Sequence, residues 1–234
     1  MQIDAQGLDF ETLNRKIKET AGGAVSISNL LGQRYIGSGV RNKKLTLSGI
    51  PGNALGAYLH TCEIVVHGNV QDAVGDTMND GRIVVHGNAG DALGYAMRGG
   101  EIFIRGNVGY RAGIHMKAYG DVVPKIVIGG NAGDFLGEYQ AGGVIVVLGG
   151  QIGHFTATGM HGGKIYVRGE KAPADLPPQV SVTEHADVAE IAPLIETFGK
   201  LFSVDVATLL TDRYFLLTPS QANPYHALYC NRSL

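Results

Sequence analysis

Cysteine, charge of one sign and long apolar runs are scarce in this sequence, and each scarcity closes off a class of function. The chain has two cysteines in 234 residues, Cys62 and Cys230, and no C-x-x-C pair. An iron–sulfur cluster takes about four thiolates, so this chain alone holds none, and two distant thiols make no disulfide framework. The 19 basic and 21 acidic side chains leave a formal net charge of −2. No basic stripe invites nucleic acid. No apolar stretch approaches the ~20 residues that span a bilayer, and the N-terminus lacks a signal-peptide pattern. A cytoplasmic protein with neither nucleic-acid nor membrane partners is expected.

Glycine is what the chain has in excess. There are 35 glycines, and they are periodic, which separates them from the glycines of disordered segments. Gly49, Gly68, Gly87 and Gly106 are spaced by nineteen residues, and Gly130, Gly150 and Gly169 follow at twenty-four, twenty and nineteen. The unit reads G-x-x-G-x-x-x-G, as in Gly87-Gly90-Gly94 and Gly106-Gly109-Gly113, followed by polar residues and a short apolar run. In worn copies Gln71 replaces the middle glycine and Ala157 the last. A fixed period of this length marks a solenoid, each repeat burying its apolar side against its neighbours.

The apolar runs identify the kind of solenoid. KLTLS (44–48), EIVVH (63–67), RIVVH (82–86), EIFIR (101–105), KIVIG (125–129), VIVVL (144–148) and KIYVR (164–168) are rich in β-branched residues, and most alternate. This is strand chemistry. Aligned, they give an aliphatic column through Leu45, Ile64, Ile83 and Ile102 and a second through Leu47, Val66, Val85 and Ile104. A third runs through Leu55, Val74, Leu93, Ala112 and Leu136, and a fourth through Leu59, Met78, Met97, Met116 and Met160, interrupted by Gln140. Columns that recur once per turn of chain predict a parallel β-helix of about seven coils, all-β, roughly 30 Å long at ~4.8 Å per coil. Glu63, Arg82, Glu101 and Lys164 are expected outside. The glycines serve the bends, by positive φ and close backbone approach. Asn69, Asn88, Asn107 and Asn131 suit left-handed backbone and hydrogen bonding along the stack. A phosphate-cradling role is disfavoured, since no helical pattern follows any copy.

The ends differ from the middle. Three segments are expected: an N-terminal helical cap over 1–22, the glycine-repeat β-helix over 23–170, and a C-terminal loop and helical segment over 171–234. Asp9 is placed as the N-cap of a helix carrying Leu13 and Ile17, and Gly22-Gly23 as its stop. AVSISNLLGQRYIGSGV (24–40) reads as an irregular first coil. The proline-bearing 171–185 reads as loop, Ile191–Phe202 as a helix with Asp187 as cap, Val204–Leu210 as a second helix and Arg213–Leu217 as a strand. These elements are expected to close the open ends of the rod.

The repeats GNAGDALGYAMRGGEIFIRGNVGYRAG and GGNAGDFLGEYQAGGVIVVLG resemble the glycine-repeat (GXGXG) domain that closes the large subunit of glutamate synthase. GMHGGKIYVRG (159–169) resembles the last coil of that domain, and GQRYIGSG (32–39) its first. A subunit of formylmethanofuran dehydrogenase carries a related domain. The resemblance covers roughly residues 24–170 and implies a right-handed, single-stranded β-helix. It implies a non-catalytic scaffold subunit of a split complex, in which partner chains transfer the glutamine amide nitrogen reductively to 2-oxoglutarate. The partners so implied are a glutamine amidotransferase chain and an FMN-binding synthase chain, which hold the FMN and iron–sulfur clusters. No cofactor, metal or catalytic residue is assigned to this chain. It begins Met-Gln rather than with the cysteine nucleophile an amidotransferase needs, and a (β/α)₈ flavin barrel alone takes about 250 residues. Formylmethanofuran-dehydrogenase-type and N-methylglutamate-synthase-type complexes, an independent structural β-helix, and a homo-oligomer stay open.

Candidate site residues are few. His67 and His86 share a column, but Arg105 follows them, and a cation there opposes a metal. Asp72 and Asp91 read as turn caps rather than cation ligands. His154 and His161 read as surface polar residues. Partner contact is expected at the irregular parts: the first coil with Gln33, Arg34 and Tyr35, and the coil made five residues longer by the stretch HMKAYGDVVPK (115–125), with His115, Lys117 and Tyr119. Tyr35, Tyr58, Tyr95, Tyr110 and Tyr139 are scattered across columns, which disfavours a sugar-stacking surface.

Overall fold

The computed structural model describes residues 1–220; Cys230 lies outside the described residues. The chain is a parallel β-helix. Strand β1 (Gln2–Asp4) leads into helix α1 (Phe10–Glu19). Eight parallel strands follow: β2 (Ala24–Leu31), β3 (Lys44–Ile50), β4 (Glu63–His67), β5 (Arg82–Val85), β6 (Glu101–Ile104), β7 (Lys125–Ile128), β8 (Ala141–Val147) and β9 (Gly162–Arg168). Each pairs with the next in the register the columns require, with Ile64 opposite Ile83 and Ile83 opposite Ile102. The seven aligned runs are β3 to β9, and the irregular first coil supplies β2. At about 4.8 Å per step the eight parallel strands span about 34 Å.

The aliphatic columns line the interior. Leu45, Ile64, Ile83, Ile102, Ile126, Ile145 and Ile165 are fully buried, as are Leu55, Leu93, Met78 and Met116. Gln140, which interrupts the methionine column, is also fully buried. Its Nε2 donates to the carbonyls of Gly142 (3.2 Å) and Gly143 (3.1 Å). Those glycines lie where the β8–β9 register shifts between Ala141 and Val144. The amide holds an irregular stretch of backbone that a thioether cannot hydrogen-bond.

The glycines and asparagines are not equivalent. At the last glycine of the motif the backbone is left-handed, as at Gly94 (φ +65°), and an added Cβ would stand 2.6 Å from Ile126 Cδ1. At the middle glycine, Gly109, an added Cβ would meet the Asp91 carboxylate of the coil below. The asparagine column is not left-handed, contrary to one of the two reasons the sequence suggests for it. Its role is a side-chain ladder. Asn69 Oδ1 accepts the Asn88 N–H at 2.8 Å, Asn88 that of Asn107, and Asn107 that of Asn131, each at 2.8 Å. Asp72, Asp91 and Asp134 run a parallel ladder, accepting the N–H of Asp91, Tyr110 and His154 at 2.8–2.9 Å. These are the turn caps the spacing predicts. The first strand position alternates in sign through Lys44, Glu63, Arg82, Glu101 and Lys125. It pairs Lys44 with Glu63 (3.3 Å), Arg82 with Glu101 (2.7 Å) and Lys125 with Glu101 (3.3 Å). Pairs this exposed contribute little each, about 0–1 kcal/mol.

The C-terminal segment departs from expectation. It does cap one end: β11 (Tyr214–Pro219) pairs antiparallel with β9, and β10 (Val180–Thr183) pairs with β11. β10 lies inside the segment read as loop. Asp187 caps a single 3₁₀ turn over Val188–Glu190, with its side chain accepting from the Ala189 N–H. Helix α2 (Ala192–Phe202) and the short α3 (Ala207–Thr211) follow. Helix α2 does not close the rod end. It lies along the outside of the sheet and buries Leu194, Ile195, Phe198 and Phe202 in a second apolar cluster with Val84, Phe103, Val127, Val146 and Tyr166. That is why the third residue of most strands is apolar and buried. Phe198 sits over Gly129, where an added Cβ would come within 2.5 Å of the ring. At the other end α1 begins where the sequence places it, with Asp9 Oδ1 accepting the Thr12 N–H at 2.7 Å. Strand β1 before it pairs parallel with β2 and was not legible.

Candidate interaction surface

Between the strands, each coil carries a compact turn segment, and its backbone explains which side chains point outward. Residues at the first, third and fifth places of this segment are left-handed. In one coil these are Arg111, Gly113 and His115 (φ 59°, 71° and 55°), in the next Phe135, Gly137 and Tyr139 (φ 62°, 65° and 51°). The residue between the first two, Ala112 or Leu136, points into the core. Hydrogen bonds run from this segment in both directions. The Arg111 N–H donates to the Asp134 carbonyl above (2.8 Å), and the Gly113 N–H to Leu93 below (2.7 Å). The turn face is therefore as tightly cross-linked as the sheet.

Large side chains occupy many of the left-handed positions. Tyr35, Tyr58, Arg111, His115, Phe135, Tyr139 and Phe155 all have φ between 51° and 62°. Left-handed backbone costs a residue with a Cβ roughly 1–2 kcal/mol. Glycine fits without that cost, and Gly39 and Gly159 hold the equivalent place in two coils.

These residues share one side of the rod, which the column-by-column reading of the tyrosines did not reveal. Tyr35, Tyr58, Tyr95, Tyr110, Tyr139 and Phe155 are 40–58% exposed. Their contacts make a continuous band over the later coils. His115 stacks on Tyr139 with ring centres 5.2 Å apart and planes 9° apart, and Tyr95 meets His115 edge-on at 5.8 Å. Phe135 stacks on Phe155 at 5.0 Å. The Arg111 guanidinium lies 4.8 Å from the Phe135 ring centre and pairs with Glu138 at 3.2 Å. Several of the places flanking the core-facing residue carry these exposed rings, although Ala54, Ala57, Thr77 and Ile114 at equivalent places are buried.

The residues singled out beforehand separate. The side chain of Gln33 is committed within the chain: its Nε2 donates to the carbonyls of Ala5 and Leu8 at 3.1 Å, and its Oε1 accepts the Leu31 N–H at 2.7 Å. Arg34 is exposed and lies over Phe10 (5.3 Å) and Tyr35 (6.0 Å), bridging α1 and the first coil. Tyr35 and His115 belong to the turn face. Lys117 and Tyr119 lie on the insertion, which leaves the stack as a tight loop closed by reciprocal Tyr119–Val122 backbone bonds of 3.0 and 3.1 Å. Tyr119 is 80% exposed at its tip.

Other titratable groups offer little chemistry. His67 and His86 stack at 4.9 Å, and Phe202 meets His86 edge-on at 5.1 Å. Burial under Phe202, then the neighbouring His67 and Arg105, hold the His86 pKa below the usual histidine value. A lowered histidine pKa means the unfolded chain takes up the proton first, so stability is full above about pH 6.5 and falls as the pH drops through the native value. Chemical denaturation at pH 7 and pH 5 is expected to show this loss, and His86→Phe to reduce it; an equal loss in the variant contradicts the assignment. Cys62 is buried, its thiol donating to the Val40 carbonyl at 3.1 Å, and burial raises its pKa, the condition of an inert thiol. Among the described residues, no three histidine, cysteine or carboxylate side chains are grouped to hold a metal ion. Among them, no helix is long and apolar enough to cross a membrane.

The chain belongs to the GXGXG motif family, whose pattern it matches over residues 9–220. It is 44% identical over 97% of its length to the Methanocaldococcus jannaschii protein named "Uncharacterized protein MJ1350", covering 95% of that protein. Its fold is similar to that of a chain in the crystal structure of the formyltransferase/hydrolase complex of Methylorubrum extorquens, solved with methylofuran. The TM-score is 0.65 at 20% identity, over 94% of this chain and 96% of that one.

Proposed function

We propose that this chain is the scaffold subunit of a split glutamate-synthase-like complex, holding a glutamine amidotransferase chain and an FMN-binding synthase chain in register. The chemistry belongs to those partners: release of the glutamine amide nitrogen, its reductive transfer to 2-oxoglutarate, and delivery of electrons through FMN and iron–sulfur clusters. The observation that carries the reading is the extent of the motif. The glycine-repeat pattern takes up residues 9–220, nearly all of the described chain, and its repeats resemble the domain that the large subunit of glutamate synthase carries as one part. The polar side chains of its turns are spent on holding coil to coil. A second reading, a subunit of a formylmethanofuran-dehydrogenase-type C1 complex, draws support from the whole-length likeness in fold to a chain of the Methylorubrum formyltransferase/hydrolase complex.

Two measurements test this. Purified alone, the chain is expected to bind no FMN and to hydrolyse no glutamine; stoichiometric flavin absorbance or glutaminase activity overturns the scaffold role. The genes beside its own separate the two readings. Amidotransferase and FMN-synthase genes fit the first, and genes for a molybdopterin enzyme and polyferredoxin fit the second.

A further inference from the structure

We propose that the aromatic turn face is the docking surface for a protein partner whose own contacting surface is basic. The inference deepens the scaffold reading and rests on it: it names the side of the rod that a partner subunit covers and the charge that subunit presents.

Four observations converge. The turn segments recur over seven coils and expose Tyr35, Tyr58, Tyr95, Tyr110, Tyr139 and Phe155 on one side of the rod, a run of contact residues of the scale a protein interface uses. Their exposed large residues are of the kinds enriched at interface centres, tyrosine, phenylalanine and arginine. Tyr58, Tyr139 and Phe155 stand on left-handed backbone where glycine is the unstrained choice. Strain kept at an exposed position points to a use outside the chain's own folding. Last, the face has a sign. Asp72, Asp76, Asp91, Asp134 and Glu138 stand on these turn segments against Arg34 and Arg111, whereas the protein as a whole is nearly balanced. With its acidic side chains in the majority, such a face steers in a partner bearing lysine and arginine.

The ring geometry favours protein over sugar. Carbohydrate stacks on open ring faces. Here His115–Tyr139 and Phe135–Phe155 turn their faces to each other, with planes 9° and 19° apart. What they offer outward are edges, which side chains pack against.

The left-handed positions give an unusually clean test. Tyr58→Gly, Tyr139→Gly and Phe155→Gly remove the rings while relieving the backbone, so the triple variant is expected to keep its melting temperature. The full chain is co-expressed with a glutamine amidotransferase chain and an FMN-binding synthase chain from the same genome, and affinity is measured by titration. The wild type is expected to bind one of them, more weakly as salt rises. The triple variant should lose tenfold or more, as truncated interface anchors do, and Asp76→Lys should weaken binding further. Should the triple variant unfold, Tyr58→Gly alone and hydrogen exchange of the wild-type complex decide, with slowed exchange expected across the turn segments. Wild-type binding that the variants leave unchanged, or slowed exchange confined to another side, overturns the docking face while leaving the scaffold reading standing. Failure of the wild type to bind either chain overturns the scaffold reading. Retardation of the wild type by soluble glucan or mannan, lost in the variant, overturns the protein partner in favour of a carbohydrate.

Discussion

Ile83→Asp is expected to unfold the centre of the rod. Ile83 is fully buried between Ile64 and Ile102 and belongs to the main interior cluster. The substitution removes a branched side chain whose loss alone costs about 2–5 kcal/mol. It also leaves a carboxylate with no cation among its neighbours, which adds several kcal/mol or forces protonation. Together these approach the 5–15 kcal/mol that stabilises a typical domain. Because each coil rests only on its neighbours, the damage is expected to spread to both sides. Circular dichroism should show a cooperative transition lost or lowered by tens of degrees; a melting temperature equal to wild type contradicts the column assignment. Val65→Asp, on the outer side of the neighbouring strand β4 and only half-buried, should do far less.

Phe198→Ala is expected to release the C-terminal helix without unfolding the coils. Phe198 is 5% exposed, packs on Phe202 at 4.7 Å, and lies over the hollow that Gly129 leaves. Truncating a buried phenylalanine costs about 3–5 kcal/mol. Here the loss falls on one helix docked by few large residues. Gly129→Arg reaches the same end from the other partner. Its Cβ would also meet the Arg105 carbonyl oxygen of the adjacent coil, so the strand shifts locally as the helix is displaced. Hydrogen exchange should rise over 192–202 in both variants and stay slow in Ile83 and Ile102. Unchanged exchange in the helix contradicts its docking on the outer face.

The interior of this fold was legible because it repeats. Ile64, Ile83 and Ile102 recur at a fixed step, and no other arrangement of the chain buries such a column. Helix α1 was legible from Asp9 and its apolar spacing. The outer face was not, because apolar residues at three consecutive places of a strand read equally as alternation with a lapse or as burial on both sides. Only the position of α2 over Val84, Phe103 and Val127 decides between them. Strand β10 was hidden because it forms by pairing with β11 rather than from its own composition. The candidate site was half legible. Tyr35 and His115 lie on the turn face, but the other aromatic residues were dismissed as scattered. Adjacent columns on a tight turn share a side only when the backbone is left-handed at alternate places, and left-handed backbone at tyrosine, phenylalanine or histidine leaves no mark in the sequence.

The scaffold role is tested most directly by reconstitution. The chain, a glutamine amidotransferase and an FMN-binding synthase from the same genome are co-expressed, and the mass of the purified assembly is measured by size-exclusion chromatography with light scattering, alongside glutamine-dependent glutamate synthesis. The account predicts one stoichiometric complex of all three chains, and loss of glutamine-dependent synthesis when this chain is omitted while glutaminase activity stays with the amidotransferase. Elution of this chain apart from both partners, with synthesis undiminished in its absence, contradicts it.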